Sequence, residues 1–210
     1  MTTGRAQAFS DGVFAVAITV LVFGLRPTGP GSLAHQLLHA WPQYFAYVVS
    51  FLTIGIMWMN HHTMLAHVTR VDRPLLVLNL LLLLGIVAIP FPTALVADHL
   101  RDQGATAAAV TYGLVMIAIS IGFGGLWVYV ATHASALGAA LPTEALRRSI
   151  LGFNGGLLAY VAGTAIAFVS ALAALIIFGA LAVYYLFEHL PSPAETGPSG
   201  AGPGTAGSGA

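Results

Sequence analysis

The chain contains no cysteine and no lysine, and it is poor in charge of either sign. Without cysteine there can be no disulfide, no thiolate metal site and no cysteine nucleophile. All seven cationic side chains are therefore arginine, seven acidic residues balance them, and the net charge of zero leaves no basic field for a nucleic acid. Charged residues make up 7% of the 210 residues against 58% hydrophobic, and the mean hydropathy is +0.87. A water-soluble chain of this size must cover its outside with polar atoms, and so few charges cannot do that. The composition predicts an all-α integral membrane protein whose solvent is lipid.

Six apolar stretches have the length and hydropathy of transmembrane helices, at residues 6–25, 44–59, 75–97, 105–131, 150–167 and 170–187. The first lacks a small-residue cleavage site behind it and reads as a retained span. Arg147 to Glu188 is nearly uncharged over 42 residues. As one helix it would reach about 63 Å, too long for one crossing, so it must turn back near Ser170. Arg26-Pro27 and Pro30-Gly31 close the first helix, and Arg70, Asp72, Arg73 and Pro74 mark the turn into the third. Residues 1–190 thus form one six-helix transmembrane domain, followed by 191–210, where 13 of 20 residues are Gly, Pro or Ser and a disordered tail is expected. With six spans, Arg5, Arg70, Arg73, Arg147 and Arg148 share one side and Arg26 and Arg101 the other. Five against two favours both termini in the cytoplasm.

The first helix carries an ionisable group, Asp11, in the run Arg5-Ala6-Gln7-Ala8-Phe9-Ser10-Asp11-Gly12-Val13-Phe14-Ala15-Val16-Ala17-Ile18-Thr19. A carboxylate within a span costs several kcal/mol unless it faces protein or water, so it needs a partner. Arg5, six residues away, lies about 120° around the helix and cannot be that partner. The polar cluster Asn60, His61, His62 and His67 at the end of the second helix is the expected source. With Asp11 at 0°, Val16, Val20 and Phe23 fall at about 140°, 180° and 120°, an apolar strip on the opposite side, with Thr19 on its flank at about 80°. From periodicity the strip meets lipid or a neighbouring helix.

Arg5 with Phe9-Ser10-Asp11-Gly12-Val13-Phe14-Ala15-Val16-Ala17-Ile18-Thr19, Trp58-Met59-Asn60-His61-His62 after the second span, and Asn79 with Pro90-Phe91-Pro92-Thr93 in the third closely resemble the signatures of the transmembrane protein 175 family. These are the endolysosomal potassium channels and their bacterial relatives. The resemblance covers residues 5–97 by motif, and beyond Ala97 only in length and hydropathy. It implies a potassium channel without a P-loop filter, in a bacterial cell membrane, and the chain indeed has no Thr-Val-Gly-Tyr-Gly loop. Because one chain holds one six-helix set, it implies a homotetramer of identical subunits with the first helix lining the pore. It assigns the hydrophobic constriction to Val16, Val20 and Phe23, the strip that helical geometry sets opposite Asp11. Four such apolar rings would gate by excluding water and would favour potassium over sodium modestly.

The resemblance also points to Thr19 for selectivity, against the alternative of a threonine bonded to a carbonyl one turn back. It casts Arg5, Phe9, Ser10, Asp11, Trp58, His61 and Asn79 as a network fixing the first helix to the second and third, the rival being a proton or cation site at Asp11. The family's narrowest position usually holds Ile or Leu. Here Val16 is smaller and Phe23 bulkier than the common Leu, which moves the expected tightest point toward Phe23.

Other functions are weaker fits. His62 and His67 have the H-x4-H spacing of membrane di-iron enzymes, but His35, His39, His99, His133 and His189 are scattered without further paired boxes. No enzyme activity, cofactor or resident metal is expected, with potassium only as the permeant ion. A proton- or cation-coupled secondary transporter using Asp11 is the more serious alternative, although no inverted repeat is evident. A non-transporting scaffold would conduct nothing.

Overall fold

The computed structural model describes residues 3–27, 29–139 and 143–187, with 143–154 and 186–187 as backbone only. The tail 191–210, together with His189, lies outside the described residues, as do the side chains of Arg147 and Arg148. Among the described residues nine α-helices follow in order: α1 Thr3–Val20, α2 Leu33–His39, α3 Trp41–Ala66, α4 Arg73–Ala88, α5 Pro90–His99, α6 Ala105–Thr132, α7 Ala134–Leu137, α8 Thr143–Ile166 and α9 Ala171–Phe187. Among the described residues there is no strand. Four stretches are long and apolar enough to cross a membrane, at 3–24, 41–66, 73–99 and 105–132, and shorter apolar helices occupy 155–166 and 171–185. The chain is a multi-pass membrane protein: every long helix leaves large apolar residues uncovered, as Val77, Leu81, Leu84, Leu114, Ile121, Val128, Leu158 and Ile176 do.

Local chemistry sets the breaks. The third apolar stretch is two helices rather than one. Pro90 and Pro92 lack the N–H groups of a regular helix, and α4 passes to α5 at Ile89. Residues 167–170 turn the chain back between α8 and α9, and the Ser170 hydroxyl accepts from the Ala173 N–H at 3.2 Å to cap α9. Asp72 caps α4 through the Leu75 N–H at 2.9 Å and accepts from the Tyr129 hydroxyl of α6 at 2.7 Å. That hydroxyl, more than the cap, holds the Asp72 carboxyl below its ordinary value. On the same end of the bundle the N–H groups of Thr69 and Arg70 both donate to the Leu137 carbonyl, tying the α3–α4 turn to α7.

In the packing, α6 lies against α4, α5, α8 and α9, while α1 sits at one flank against α3 and α4. Small residues permit the closest approach. Gly113 of α6 faces α8 and α9, where an added Cβ would fall onto Thr164 Oγ1 and lie 3.1 Å from Phe178 Cζ. Thr164 cannot easily yield, because its hydroxyl donates to the Tyr160 carbonyl at 2.7 Å. Gly113→Ala should therefore destabilise the folded protein by roughly 1–3 kcal/mol through overpacking. Gly124→Ala, where a Cβ meets nothing within 4 Å, should leave thermal unfolding in detergent unchanged or slightly raised.

Candidate pore-lining face and its buried support

α1 has two faces. Ala6, Ser10, Phe14 and Ala17 are buried, as is Leu21 in the 3-10 turn Leu21–Gly24 that extends the helix. Their spacing of four, four, three and four is that of one helical stripe. The other side is left uncovered by this chain: Phe9 is 53% exposed, Val16 58%, Val20 40% and Phe23 68%. Thr19 is exposed beside them, and its hydroxyl donates to the Val16 carbonyl at 2.9 Å.

The buried stripe is held by a directional chain of hydrogen bonds. Ser10 Oγ donates to the Ala6 carbonyl at 3.0 Å, and Asn79 Nδ2 of α4 donates to Ser10 Oγ at 3.0 Å. Asn79 Oδ1 then accepts at 2.7 Å from His61 Nε2 of α3. Because an amide oxygen only accepts, His61 is the tautomer protonated at Nε2. Its Nδ1 is buried without a partner among the described residues, and its ring sits 5.4 Å from Phe14 and 6.5 Å from Phe123. Three helices are thus joined through one asparagine.

Asp11 finds a partner on α3, as a carboxylate in a span must. The partner is Trp58, whose Nε1–H donates to Asp11 Oδ1 at 2.8 Å. The expected source, the cluster Asn60, His61, His62 and His67, is corrected by one turn: His62 bonds Gln7 at 2.7 Å, His67 bonds the Thr63 carbonyl at 2.8 Å, and His61 is taken by Asn79. Gln7 was missed by the sequence reading. Its signal was there, since Gln7 and Asp11 are four apart on α1 and Trp58 and His62 are four apart on α3, so two antiparallel helices pair them in one register. Arg5 and Phe9 are exposed and join none of these bonds.

A second buried chain serves the proline break. Thr93 Oγ1 donates to the Ile89 carbonyl at 2.8 Å, so it must accept from Ser50 Oγ at 2.8 Å, and Ser50 in turn accepts from the Tyr112 hydroxyl at 3.2 Å. The Ile89 carbonyl that takes the Thr93 hydroxyl also accepts the Thr93 N–H at 3.1 Å, so this chain reinforces the helix beside the prolines rather than filling a bond they remove. At the other end of α1, the Gln43 amide of α3 grips the backbone of Arg26: Oε1 accepts from the Arg26 N–H at 2.9 Å, and Nε2 donates to the Arg26 carbonyl at 3.0 Å. Arg26 Nε donates to the Phe23 carbonyl at 3.0 Å. Beside this turn lies a cleft of about 400 Å³ whose lining includes Val20, Phe23, Arg26, Tyr47, Phe91 and Asp98. Among the described residues, no three His, Asp or Glu side chains converge on a metal site.

The model of the family "Endosomal/lysosomal potassium channel TMEM175" matches residues 5–90, the stretch that holds α1, its polar partners and Pro90, the first proline of the α4–α5 break. A potassium channel of Streptomyces collinus is 45% identical over 195 residues, which cover 91% of this chain and 95% of that protein. The chain belongs to the TMEM175 family. A potassium channel of Chamaesiphon minutus is 36% identical over 188 residues, 87% of this chain and 93% of the relative. The crystal structure of a lysosomal potassium-selective TMEM175 homolog from the same species superposes with a TM-score of 0.78 at 35% identity, over 88% of this chain and 96% of that one. The resemblance drawn from residues 5–97 is thereby established, and with it a transport family rather than an enzyme.

Asn79→Leu should cost roughly 1–3 kcal/mol of stability, because it strands the buried His61 N–H and removes a donor from Ser10. Trp58→Phe keeps an aromatic ring at the exposed rim but deletes the Asp11 bond, and should cost about 1 kcal/mol or less. Thermal unfolding of the two purified variants, compared with wild type, checks the order.

Proposed function

We propose that the chain is one subunit of a potassium-conducting channel, a homotetramer in a bacterial membrane in which α1 of each subunit faces the pore. In this reading residues 1–190 are a six-span channel domain with both termini cytoplasmic, and 191–210 a tail outside it. The carrying observation is the asymmetry of α1. One face is fixed by the Ser10–Asn79–His61 chain, and the opposite face, Val16, Val20 and Phe23, is apolar and uncovered. A membrane protein whose polar network points inward and whose apolar strip points away leaves that strip for lipid or for other subunits. The relatives that span nearly the whole chain are named as potassium channels, which supports other subunits around a pore.

Rings of Val16, Val20 and Phe23 would form a constriction too apolar to hold water readily, which passes most easily the ion that sheds its hydration at least cost, potassium before sodium. Phe23 is the bulkiest and most exposed of the three, consistent with the tightest point lying near the outer end. Thr19 reconciles its two readings. Its proton is spent on the Val16 carbonyl, so the hydroxyl oxygen keeps lone pairs on the exposed side for a passing cation. The Trp58 indole engages Asp11, which supports a structural role for that carboxylate over coupled transport.

Reconstituted in liposomes, the protein should pass potassium faster than sodium down an imposed gradient, with no dependence on a proton gradient. Val20→Ala and Phe23→Ala should each raise conductance and lower the potassium-over-sodium permeability ratio by roughly threefold or more, by wetting the constriction. Thr19→Val should lower the ratio without raising conductance. Unchanged currents in both alanine variants would remove the strip from the pore.

A further inference from the structure

The outer end of α1 is not a free helix end. After Val20 the chain tightens into the 3-10 turn, whose exit at Leu25 leaves helical geometry, with its N–H donating to the Val22 carbonyl. Nothing in a 3-10 turn at the edge of a bundle holds a bulky side chain such as Phe23 in one place, because short 3-10 segments have poor hydrogen-bond geometry and few bonds. The chain supplies the missing hold from elsewhere. The Gln43 amide, on the first turn of α3, makes two bonds to one backbone residue, donating to the Arg26 carbonyl and accepting from its N–H, as a neighbouring β-strand would. Arg26 then turns its own guanidinium back onto the Phe23 carbonyl. The sequence of contacts is α3, Gln43, Arg26, Phe23.

We infer that Gln43 is a positioning residue for the channel's outer constriction: its paired bonds to Arg26 set how far Phe23 stands into the pore, and so set ion selectivity. The inference rests on the reading of Val20 and Phe23 as pore lining, and extends it to a residue that never touches the ion. An amide suits the task because a single planar group both donates and accepts, and neither a carboxylate nor an alkyl group can do both. A lysine or arginine would donate only. The charged or titratable groups around residue 43 are Arg26 on the turn, His39 of α2, Tyr47 of α3, Asp98 of α5 and Arg101 beyond it.

The test uses two substitutions in the full-length protein in liposomes, read as the potassium-over-sodium permeability ratio. A ratio is chosen because a charge near the pore mouth attracts both ions alike. Gln43→Leu, which fills the same space without either bond, should lower the ratio by about threefold, the order set by one net hydrogen bond. Gln43→Glu is the sharper probe. As a carboxylate it cannot donate to the Arg26 carbonyl, and the ratio at pH 7 should fall as in the leucine variant. As an acid, below about pH 4, it regains one donor beside one acceptor and should return toward wild type. The neighbouring charged groups are common to wild type and variant, so the comparison at each pH isolates residue 43.

Phe23→Ala serves as the reference for the underlying reading. If Phe23→Ala changes the ratio and both Gln43 variants match wild type at every pH, the inference is overturned and the pore reading stands. If Phe23→Ala leaves the ratio unchanged, the reading of Phe23 as pore lining fails and the inference falls with it. Loss of selectivity in Gln43→Glu at pH 7 with recovery on acidification, not shared by wild type, is the result that supports it. A Gln43→Glu ratio that stays low at acid pH would overturn the paired-bond account, even if Gln43→Leu fails to fold.

Discussion

A polar group taken out of water into this bundle costs free energy unless it finds a partner inside the protein, because lipid offers none. Most of what is specific in the structure follows from that constraint. Asn79 carries it furthest. Its amide accepts from His61 and donates to Ser10, and Ser10 passes its own proton to the Ala6 carbonyl, so a single side chain on α4 sets the rotation of both α1 and α3. Because Ser10 spends its proton on the Ala6 carbonyl, the direction of each following bond is forced, which makes the arrangement specific rather than merely adhesive. The Tyr112–Ser50–Thr93 chain obeys the same rule at the proline break, where the backbone's own ladder is interrupted.

The rotation of α1 is what the proposed pore depends on. With Ser10 and Phe14 turned inward, about 100° per residue sets Val16 about 120° and Val20 about 80° away from Ser10, so fixing the buried stripe turns the apolar strip toward the outside of the subunit. The polar network and the apolar strip are therefore two consequences of one helical angle. Bonds between helices, unlike apolar contacts with lipid-like neighbours, fix such an angle, because a small rotation breaks them. Along the inner rim the Gln7–His62 and Asp11–Trp58 pairs repeat the lesson one helical turn apart.

Control of the helix is uneven along its length. Its first three turns are held by side-chain bonds to α3 and α4, whereas its final turn is 3-10 and is held through the backbone of Arg26 by Gln43. The C-terminal half of the strip is thus positioned by fewer bonds to other helices than the N-terminal half, and it carries the larger side chain. In the proposed channel, which would discriminate by a dry constriction, a backbone clamp of this kind would set the position of Phe23 without placing a polar group in the constriction.

Several features were legible from the chain alone. Hydropathy and the shortage of charge required a multi-pass all-α membrane protein, because no other arrangement covers so much apolar surface. The Phe-Ser-Asp, Trp58 to His62 and Asn79 signatures identified the family, and helical periodicity placed Val16, Val20 and Phe23 on one face, since periodicity is a local property of sequence. Which polar groups meet is not local. That Trp58 rather than the histidine cluster takes Asp11, that Gln7 rather than Arg5 reaches α3, and that Gln43 closes on Arg26 17 residues away depend on the register of packed helices. Each helix, read alone, offers several equivalent partners. Only their packing, in a solvent that leaves no polar group unpaired cheaply, decided among them.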